Sequence, residues 1–369
     1  MRSGGKHASL VTGDMDRSRQ SKVPARVGMQ QVADRAGVAL SSVSRTLSGH
    51  PDVSTLMRNR VLDAVAALGY EPDLLAQSLR KGATMTVGFL VGNISNPLFA
   101  EIALGAETRL RAAGYTVLLA NAEDSLVERS HVRLFRQRRV DGLLLSLTDE
   151  SSDETADDIE KAGVPTVLVD RDPSKFPGSS AVLSDHAKGM EMAMATLVEM
   201  GHRRIALVNG DVRVRPARER AGAIRRTAKR TPGVSVLVRS GSFSAQHGES
   251  ATEALLTAAN PPTAIIAGGN QVLVGVLQAL RSHRARVPRD LSLITCDTVA
   301  LSEFVEPPLA TISRDPRLMG ESAAELLLEG LAGLPPRTVL LPTGFTVAGS
   351  CAPLRSEPKH GAVRARTAS

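Results

Sequence analysis

A short stretch of hydroxyl and guanidinium side chains near the amino terminus is the part of this sequence best suited to bind a charged partner. Over residues 39–47 the helical spacing buries Val43 and Leu47, which lie four positions apart. Four residues face outward: Leu40, Ser41, Ser44 and Arg45. Hydroxyl and guanidinium groups donate hydrogen bonds to phosphate oxygens and to base edges. We therefore expect this helix to contact nucleic acid.

The residues before this stretch predict another short helix that packs against it. The apolar residues of its buried face are Met29, Val32, Ala33 and Ala36. Gly37 can end that helix in a tight turn. Two short helices joined in this way form a helix-turn-helix unit, whose second helix enters the major groove. An ordinary helical hairpin with a solvated polar face is the alternative for this segment taken alone.

The place of each side chain on the second helix suggests its role. Leu40 and Ser41 lie near the amino-terminal end, so we predict that they read base edges, with Leu40 against a thymine methyl group. We predict phosphate contacts for three others, Ser42, Ser44 and Arg45. Such contacts position a protein on the duplex without reading its sequence.

A third helix is predicted over residues 55–68, with Ser54 as its cap and Gly69 as its end. Its apolar positions would complete a three-helix core: Leu56, Val61, Leu62, Val65 and Leu68. After it, Pro72 acts as a helix breaker and Asp73 can cap one more short helix. A helix that brief does not persist alone in water, so it should fold only against a partner.

Charge and composition agree with this interpretation and exclude several classes of protein. Residues 1–82 hold 12 Lys and Arg against 7 Asp and Glu, whereas the whole chain carries a formal charge of +7. No apolar run approaches the ~20 residues of a membrane span, and residues 1–26 lack the apolar stretch of a signal peptide. We expect a soluble cytoplasmic protein, with residues 1–26 a disordered basic arm or upstream sequence from a wrongly assigned start. Cys296 and Cys351 match no metal or disulfide pattern and are interpreted as incidental thiols.

From Thr86 onward, apolar strand-like segments alternate with amphipathic helical ones, which is the pattern of an α/β fold with parallel sheets covered by helices. Aromatic residues make up only 2% of the chain, which argues against a β-sandwich. The alternation predicts two successive doubly wound lobes, the second beginning near Val182. Small ligands bind in such architectures at the carboxyl ends of the strands, in the cleft between lobes.

Several motifs together resemble the lactose-repressor (LacI/GalR) family. In the amino-terminal part they are residues 31–38, 42–47, 70–72 and 76–80, and further on residues 94–101, 200–206 and 307–312. The resemblance extends from residue 27 to about residue 350. It implies a helix-turn-helix headpiece, a hinge helix, and a two-lobe sensor related to periplasmic sugar-binding proteins. The implied function is a DNA-binding transcriptional regulator, in particular a repressor, controlled by a small molecule.

The resemblance also implies that the hinge helix inserts Leu79 into the minor groove as a wedge, with Ala76 beside it, which kinks the duplex. A core leucine is the alternative for Leu79. The predicted DNA-binding residues are Ala39, Leu40, Ser41, Ser42, Ser44, Arg45, Ser54, Ala76, Leu79, Arg80 and Lys81. The sequence departs from the family at Gly28 and Ala39, where Thr or Ser usually caps the first two helices. Because Ala39 lacks the hydroxyl of Thr or Ser, backbone amides should contribute more to DNA contact.

The family's cleft positions, carried over where they match, suggest the effector contacts. They are Asn93, Ser146, Asp170, Asp185, Arg220, Phe243, Asn270 and Asp297. A guanidinium and a carboxylate, here Arg220 and Asp297, can together hold vicinal hydroxyls or another polar edge, and Phe243 can stack on an apolar ring face. Loop capping is the alternative for Asp170 and Asp185. We expect two histidines, His186 and His202, to lie on the surface.

Two further departures concern the ligand, which we expect to be a carbohydrate or related metabolite. Where the family commonly has an Asn-Asp pair, residues 268–271 read Gly-Gly-Asn-Gln, which weakens the case for an ordinary hexose. Ala223 replaces a glycine usually found three residues after the effector arginine. The identity of the ligand therefore cannot be inherited from the family.

No motif for catalysis, for a metal or for a cofactor is present: there is no phosphate loop, no Gly-x-Ser-x-Gly elbow and no His-Glu-x-x-His. We therefore expect that this protein is not an enzyme. A solute-binding protein for uptake is the rival interpretation, and a sugar-processing enzyme is a more distant one. The uptake protein would need a secretion signal and no DNA reader.

The expected assembly is a homodimer on a pseudo-palindromic operator. A helix over residues 318–331 could form its interface, through Ala323, Leu326, Leu327 and Leu331. The tail lacks leucine heptads, so a coiled-coil tetramer is not supported. The predicted divisions of the chain are an arm over 1–26, the helix-turn-helix over 27–71, the hinge over 72–83, the two-lobe sensor over 84–350, and a flexible basic tail over 351–369.

Overall fold

The computed structural model describes residues 27–70, 82–297 and 305–354. Contacts between residues divide the chain into two compact units, the first ending at Lys81 and the second beginning at Gly82. They are named here the amino-terminal unit and the carboxy-terminal unit. In the described ranges, the helices all fall short of the length and apolar character that crossing a membrane requires.

The amino-terminal unit contains three helices, α1 (Met29–Ala36), α2 (Leu40–Leu47) and α3 (Thr55–Leu68), as the sequence predicts. Gly37 and Gly69 end α1 and α3 with φ of 61° and 57°, in the left-handed region that glycine adopts without strain. The Ser54 hydroxyl accepts a hydrogen bond from the Met57 amide at 3.3 Å. The core of the unit consists of Val32, Ala33, Ala36, Val43, Val61, Ala64 and Tyr70.

Two leucines predicted for this core are instead exposed. Leu56 is 74% exposed and Leu62 is 47% exposed, whereas Val61 is fully buried. At 3.6 residues per turn, Leu62 points about 100° away from Val61 around the helix. Since α1 and α2 cover only one side of α3, they bury the stripe through Val61, Ala64 and Val65 and leave Leu56 and Leu62 in solvent.

The carboxy-terminal unit contains two six-stranded sheets, each the center of one lobe. In lobe 1 the strand order is β11-β5-β4-β3-β1-β2, and in lobe 2 it is β12-β10-β9-β8-β6-β7. Lobe 1 contains β1 (Thr86–Val91), β2 (Thr116–Asn121), β3 (Gly142–Leu145), β4 (Thr166–Val169), β5 (Ser180–Ser184) and β11 (Thr338–Leu341). Lobe 2 contains β6 (Arg204–Asn209), β7 (Ser235–Ser240), β8 (Ala264–Ala267), β9 (Ser292–Cys296), β10 (Ala310–Ser313) and β12 (Gly344–Thr346). The pairing is parallel throughout both sheets as described, except where β12 runs antiparallel to β10.

Helices cover both faces of each sheet. Those of lobe 1 are α4 (Pro97–Ala112), α5 (Ser125–Gln137), α6 (Asp153–Glu160) and α11 (Pro316–Leu331). Those of lobe 2 are α7 (His186–Glu199), α8 (Arg215–Arg230), α9 (Ala245–Leu256) and α10 (Asn270–Ser282). The central strands β3, β4, β8 and β9 are buried at every position. Burial on both faces explains their continuous apolar runs, so the predicted α/β class with parallel sheets is confirmed.

The lobes are interwoven, and the prediction of two successive lobes is wrong. The chain crosses between them after β5, after β10 and after β11, so that β5 pairs with β4 and β11 in lobe 1. A second lobe beginning near Val182 is therefore incorrect, because Val182 lies inside β5 and pairs with Val169 and Val339. Local apolar patterns identify strands, whereas strand partners depend on the path of the whole chain.

The helix predicted as a dimer interface also has a different role. Within α11, Ala323, Leu326 and Leu327 are almost fully buried in the core of lobe 1, and Leu331 packs against the same core. They contact this chain's own sheet and α4. An apolar helical face is equally suited to an interface or to a core, and here the return of the chain to lobe 1 decides for the core.

The packing of α4 against α11 depends on two glycines. A Cβ atom at Gly105 would lie 2.2 Å from the Arg317 carbonyl oxygen, and one at Gly320 would lie 1.9 Å from the Ile102 carbonyl oxygen. Both obstacles are backbone, so neither can move aside without separating the helices.

We expect Gly320→Ala to lower the free energy of unfolding by about 1–3 kcal/mol, because the added methyl group forces the two helices apart. Thermal unfolding followed by circular dichroism measures this. Gly222→Ala in α8 is the control, since its Cβ would meet only the flexible end of Arg226 at 3.0 Å. Equal stability of the two variants would contradict the close packing of α4 and α11.

Candidate functional site

The exposed surface of α2 carries the residues predicted to bind DNA. Leu40 is 45% exposed, Ala39, Ser41 and Arg45 are exposed, and Ser42 is half-buried. Buried Val43 and Thr46 fix the opposite side of the helix in the core. No acidic residue occupies the first turn of α2, and Ala39 makes no side-chain cap. The surface is thus a combination of apolar, hydroxyl and cationic groups without a carboxylate to repel phosphate.

Of the other residues predicted to contact DNA, the structure describes Ser44 and Ser54 but not those of the hinge. Ser44 on α2 is half-buried, and Ser54 is exposed while capping α3. The hinge predictions, Ala76, Leu79, Arg80 and Lys81, together with Pro72 and Asp73, lie outside the described residues. So do the predicted arm over 1–26 and the tail from residue 355.

In the carboxy-terminal unit, the carboxyl ends of the strands of both lobes enclose a cavity of about 430 Å³. Lobe 1 contributes Asn93, Ser146 and Asp170, which follow β1, β3 and β4. Lobe 2 contributes Arg220 from α8, Phe243 after β7 and Asp297 after β9. The structure therefore brings these six predicted effector residues together in one cleft.

Two further predicted residues do not line the cavity. The Asp185 carboxylate accepts a hydrogen bond from the Lys188 amide at 3.1 Å and caps α7, which is the alternative given above for this residue. Asn270 is the first residue of α10 and is buried, and its Nδ2 donates to Asn96 Oδ1 at 3.2 Å. Its neighbours Gly269 and Gln271 line the cavity instead.

The floor of the cleft is a chain of buried ion pairs in which Arg314 is central. Arg314 Nε lies 2.6 Å from Asp297 Oδ1, its Nη2 lies 3.2 Å from Asp297 Oδ2, and its Nη1 donates to Asp170 Oδ2. Arg220 Nη2 is 3.8 Å from Asp297 Oδ2, and Arg220 Nη1 donates to the Gly268 carbonyl oxygen at 2.6 Å. One guanidinium therefore joins a lobe 1 carboxylate to a lobe 2 carboxylate.

Sequence reasoning missed Arg314, although a signal for it existed. It is the first residue after β10, and polar residues directly after buried parallel strands gather at the same edge of a sheet. Asp170 and Asp297, which were predicted from the family's cleft positions, also follow buried strands directly. Arg314 follows β10 in the same way as Asp170 follows β4 and Asp297 follows β9, so applying this rule to β10 would have identified it.

Asp170 and Asp297 occupy equivalent places in the two lobes. Each follows a buried strand directly, and their φ values of 54° and 72° lie in the left-handed region. That conformation costs of order 1–3 kcal/mol in a residue other than glycine and persists only where the surroundings enforce it. Here the Asp170 amide donates to Val182 O at 2.7 Å and the Asp297 amide to Ile312 O at 2.9 Å, which hold the two turns.

Charge in the floor is stabilised by pairing. Burial by itself would raise the pKa of Asp170, but the hydrogen bond from His186 and the charge of Arg314 hold that pKa well below its usual range. Burial would likewise raise the pKa of Asp297, and Arg314 and Arg220 lower it. Both carboxylates are therefore ionised at neutral pH, as the paired guanidinium groups require.

The two histidines expected at the surface are buried. His186 and His202 are each 2% exposed. His186 Nε2 lies 2.9 Å from Asp170 Oδ2, and burial lowers the pKa of His186 to about 4, although Asp170 opposes that shift. His202 contacts the Thr263 and Ser292 hydroxyls at 2.9 and 3.0 Å. Both expectations were wrong because a polar residue at a helix or strand end is buried when another lobe or loop covers it.

Some polar atoms near the cleft lack a partner among the described residues. The Ser146 hydroxyl and Asn270 Oδ1 are buried without a hydrogen bond. Buried polar groups nearly always have a partner in a folded protein. Because Ser146 also lines the cavity, its hydroxyl is available to a ligand with a hydrogen-bonding group.

An aromatic ring closes one side of the cavity. A Cβ atom on Gly210 would lie 2.1 Å from Phe243 Cζ, and one on Gly269 would lie 3.3 Å from Phe243 Cδ1. The two glycines therefore make the space in which the ring sits. The cleft combines this apolar wall with the charged floor, an arrangement suited to a ligand with one polar face and one apolar face.

Comparison with known proteins gives matches for both units. Residues 28–73 match the family described as bacterial regulatory proteins, lacI family, and residues 194–351 match the periplasmic binding protein-like domain. The ribose operon repressor of Escherichia coli (strain K12) is 33% identical over 305 residues, which cover 81% of this chain and 92% of that protein. The HTH-type transcriptional repressor PurR of Photobacterium profundum is 30% identical over 305 residues, covering 82% and 91%.

Solved structures give the same result. The lac repressor dimer bound to operator and the anti-inducer ONPF is 26% identical, covers 89% of this chain and 99% of its own, and superposes with a TM-score of 0.79. A LacI family transcriptional regulator from Enterococcus faecium with bound ribose is 27% identical, covers 73% and 100%, and has a TM-score of 0.65. The chain therefore belongs to the lacI family of bacterial regulatory proteins, and it is a DNA-binding transcriptional regulator.

Proposed function

We propose that this protein is a repressor that binds a pseudo-palindromic operator as a homodimer, and that a small polar metabolite in the cleft controls its affinity for DNA. The observation that carries the proposal is the cavity of about 430 Å³ that both lobes line. A ligand that contacts both lobes favours one arrangement of them, which is the requirement for allosteric control. The protein acts in the cytoplasm, where the bacterial chromosome lies.

In this proposal the helix-turn-helix over residues 27–71 reads DNA, residues 72–83 form the hinge, and residues 84–350 sense the effector. Leu40 and Ser41 read bases from the exposed face of α2, and Arg45 contacts phosphate. The rival function, uptake of a solute, shares the two-lobe architecture but gives the helix-turn-helix no role. A gel shift on the DNA upstream of the gene tests the proposal, and no retarded band with any promoter fragment would contradict it.

We expect Arg45→Ala to weaken binding to all duplexes by a similar factor and to reduce the slope of log affinity against log salt concentration by about 1, because one phosphate contact is lost. Fluorescence anisotropy at several salt concentrations measures both quantities. Arg225→Ala removes the same charge from an exposed position on α8 and should change neither. A loss of affinity confined to one operator sequence would instead mean that Arg45 reads a base.

The chemistry of the cleft favours a neutral ligand with several hydroxyl groups. The charges of the floor are already paired among Arg220, Arg314, Asp170 and Asp297, so an ionised ligand would have to displace one of them. Hydroxyl groups can instead bridge a guanidinium and a carboxylate, and can bond to Ser146. The ribose named with the Enterococcus faecium structure has this chemistry, so pentoses belong in the first screen.

We expect Ser146→Ala to leave the melting temperature of the free protein unchanged and to weaken effector binding by roughly 3- to 10-fold, the value of one neutral hydrogen bond. A thermal-shift screen of sugars and nucleobases identifies a ligand, and calorimetry then compares the variants. Ser130→Ala, on the exposed surface of α5, is the control. Unaltered affinity in Ser146→Ala would remove this hydroxyl from the site.

Exposed leucines of lobe 1 are the surface we propose for the homodimer. Leu104 on α4 is 43% exposed, and Leu118 and Leu119 on the edge strand β2 are 38% and 42% exposed. Leu118 and Leu119 point to opposite faces of β2, so both faces of this edge strand expose apolar side chains, and exposed apolar surface marks a contact site. This surface replaces the α11 face, which is buried in lobe 1.

We expect Leu119→Arg to raise the dimer dissociation constant by about tenfold or more, because it places an unpaired charge in an apolar contact. Sedimentation velocity over a range of concentrations measures it. Leu334→Arg introduces the same charge at a residue that is 55% exposed on a different surface, and should have no effect. If both variants remain dimers, the interface lies elsewhere.

A further inference from the structure

Helix α8, which carries Arg220, begins without a capping side chain of its own. Its N-cap residue is Val214, whose side chain cannot accept a hydrogen bond. The first amides of a helix have no partner within it, and a buried helix start needs one from elsewhere. Here the Arg215 amide donates to Glu150 Oε1 at 2.8 Å. Glu150 follows β3 in lobe 1, so the cap of this lobe 2 helix comes from the opposite lobe.

Both carboxylate oxygens of Glu150 are bound by lobe 2. Its Oε2 accepts from Arg218 Nη2 at 2.5 Å, while Oε1 accepts from the Arg215 amide. The side chain of Glu150 is 4% exposed, and Arg171 Nε of its own lobe lies 3.8 Å from Oε1. A carboxylate this deeply buried is tolerated because each oxygen has a charged or polar partner.

Further pairs on either side of Glu150 also join the two lobes. Arg213 Nη1 lies 3.3 Å from Asp149 Oδ2, and Arg218 Nη2 lies 3.5 Å from Asp172 Oδ2. These pairs are more exposed, with Arg213 at 58% and Asp172 at 41%, so each contributes little. Glu150 is the buried member of the group and the one that also holds a backbone group.

The same segments line the effector cleft. In lobe 1 it is lined by Thr148, two residues before Glu150, and by Arg171, which pairs with Glu150. In lobe 2 it is lined by Val214, the N-cap of α8, and by Arg220 within that helix. Arg220 lies five residues after Arg215 on α8, so the position of the first turn determines where its guanidinium stands. If the lobes separate, Glu150 regains water while α8 loses its cap.

We propose that Glu150 is a latch between the lobes: it caps α8 from lobe 1, holds the cleft closed and positions Arg220 for the effector. The effect on ligand rests on the function proposed above, whereas the cap and the closure do not. The latch is reversible, because a carboxylate released to solvent is stabilised by water. The competing role is a static ion pair that contributes to stability alone.

Hydrogen exchange of the full, ligand-free chain tests the cap. We expect Glu150→Ala to accelerate exchange of amides in the first turn of α8 by about tenfold or more, and Glu150→Gln, which keeps one acceptor, to accelerate it by roughly threefold. Asp153→Asn is the matched control, since Asp153 pairs with Lys175 inside lobe 1. Val214→Ser, added to Glu150→Ala, supplies a cap from within lobe 2 and should restore protection.

Distances between spin labels attached to the new thiols of Ser130→Cys in lobe 1 and Ser250→Cys in lobe 2 test the closure. Both serines are exposed, whereas Cys296 and Cys351 are buried, and dilution with unlabelled chain isolates the intramolecular distance. We expect longer distances in Glu150→Ala. We also expect them in Arg218→Gln, which breaks the same pair from lobe 2 and serves as the test if Glu150→Ala folds poorly. Adding Val214→Ser should not shorten them, because it caps α8 without restoring the pair between Glu150 and Arg218.

Two results would overturn the proposal. One is unchanged exchange in the first turn of α8 together with unchanged distances in both Glu150→Ala and Arg218→Gln. The other is faster exchange spread evenly over both lobes without a change in distance, which is the result for a static ion pair. Neither measurement uses DNA or a ligand, so a failure here is distinct from a failure of the gel shift.

Discussion

The carboxy-terminal unit depends on one buried cation, Arg314, which binds Asp170 of lobe 1 and Asp297 of lobe 2. Charges removed from water are costly unless each has a partner of opposite charge in good geometry. A change in the relation of the lobes therefore has to preserve or replace these pairs. This requirement limits the lobes to a few arrangements, which is what a sensor with discrete states needs.

The crossings of the chain between lobes lie beside this network. Ser184 ends β5 just before one crossing, and Arg314 follows β10 at the next. Arg215 Nη1 donates to the Ser184 carbonyl oxygen at 2.9 Å, and His186 bonds to Asp170. Because burial lowers the pKa of His186 to about 4, this histidine is neutral and adds a hydrogen bond without adding charge. The crossings between the lobes and the floor of the cleft thus share side chains.

The sequence departures from the family acquire a physical meaning in this setting. Residues 268–271 read Gly-Gly-Asn-Gln where the family commonly has an Asn-Asp pair, and the space beside Gly269 is bordered by the Phe243 ring. Ala223 is fully buried in the core of lobe 2, where it adds apolar contact. On α2, Ala39 leaves the first amides without a side-chain cap, so these amides remain available to phosphate.

The sequence alone determined the three helices of the amino-terminal unit, the α/β class and the strand ends that bear Asp170 and Asp297, because helical and strand periods are local properties. The hinge over residues 72–83 was predicted from the family resemblance, and residues 72–81 lie outside the described residues. The tertiary structure decided that β5 and α11 belong to lobe 1, and that His186 is buried. It also brought Glu150 to the start of α8. These outcomes depend on contacts between residues far apart in the chain, which no local pattern encodes.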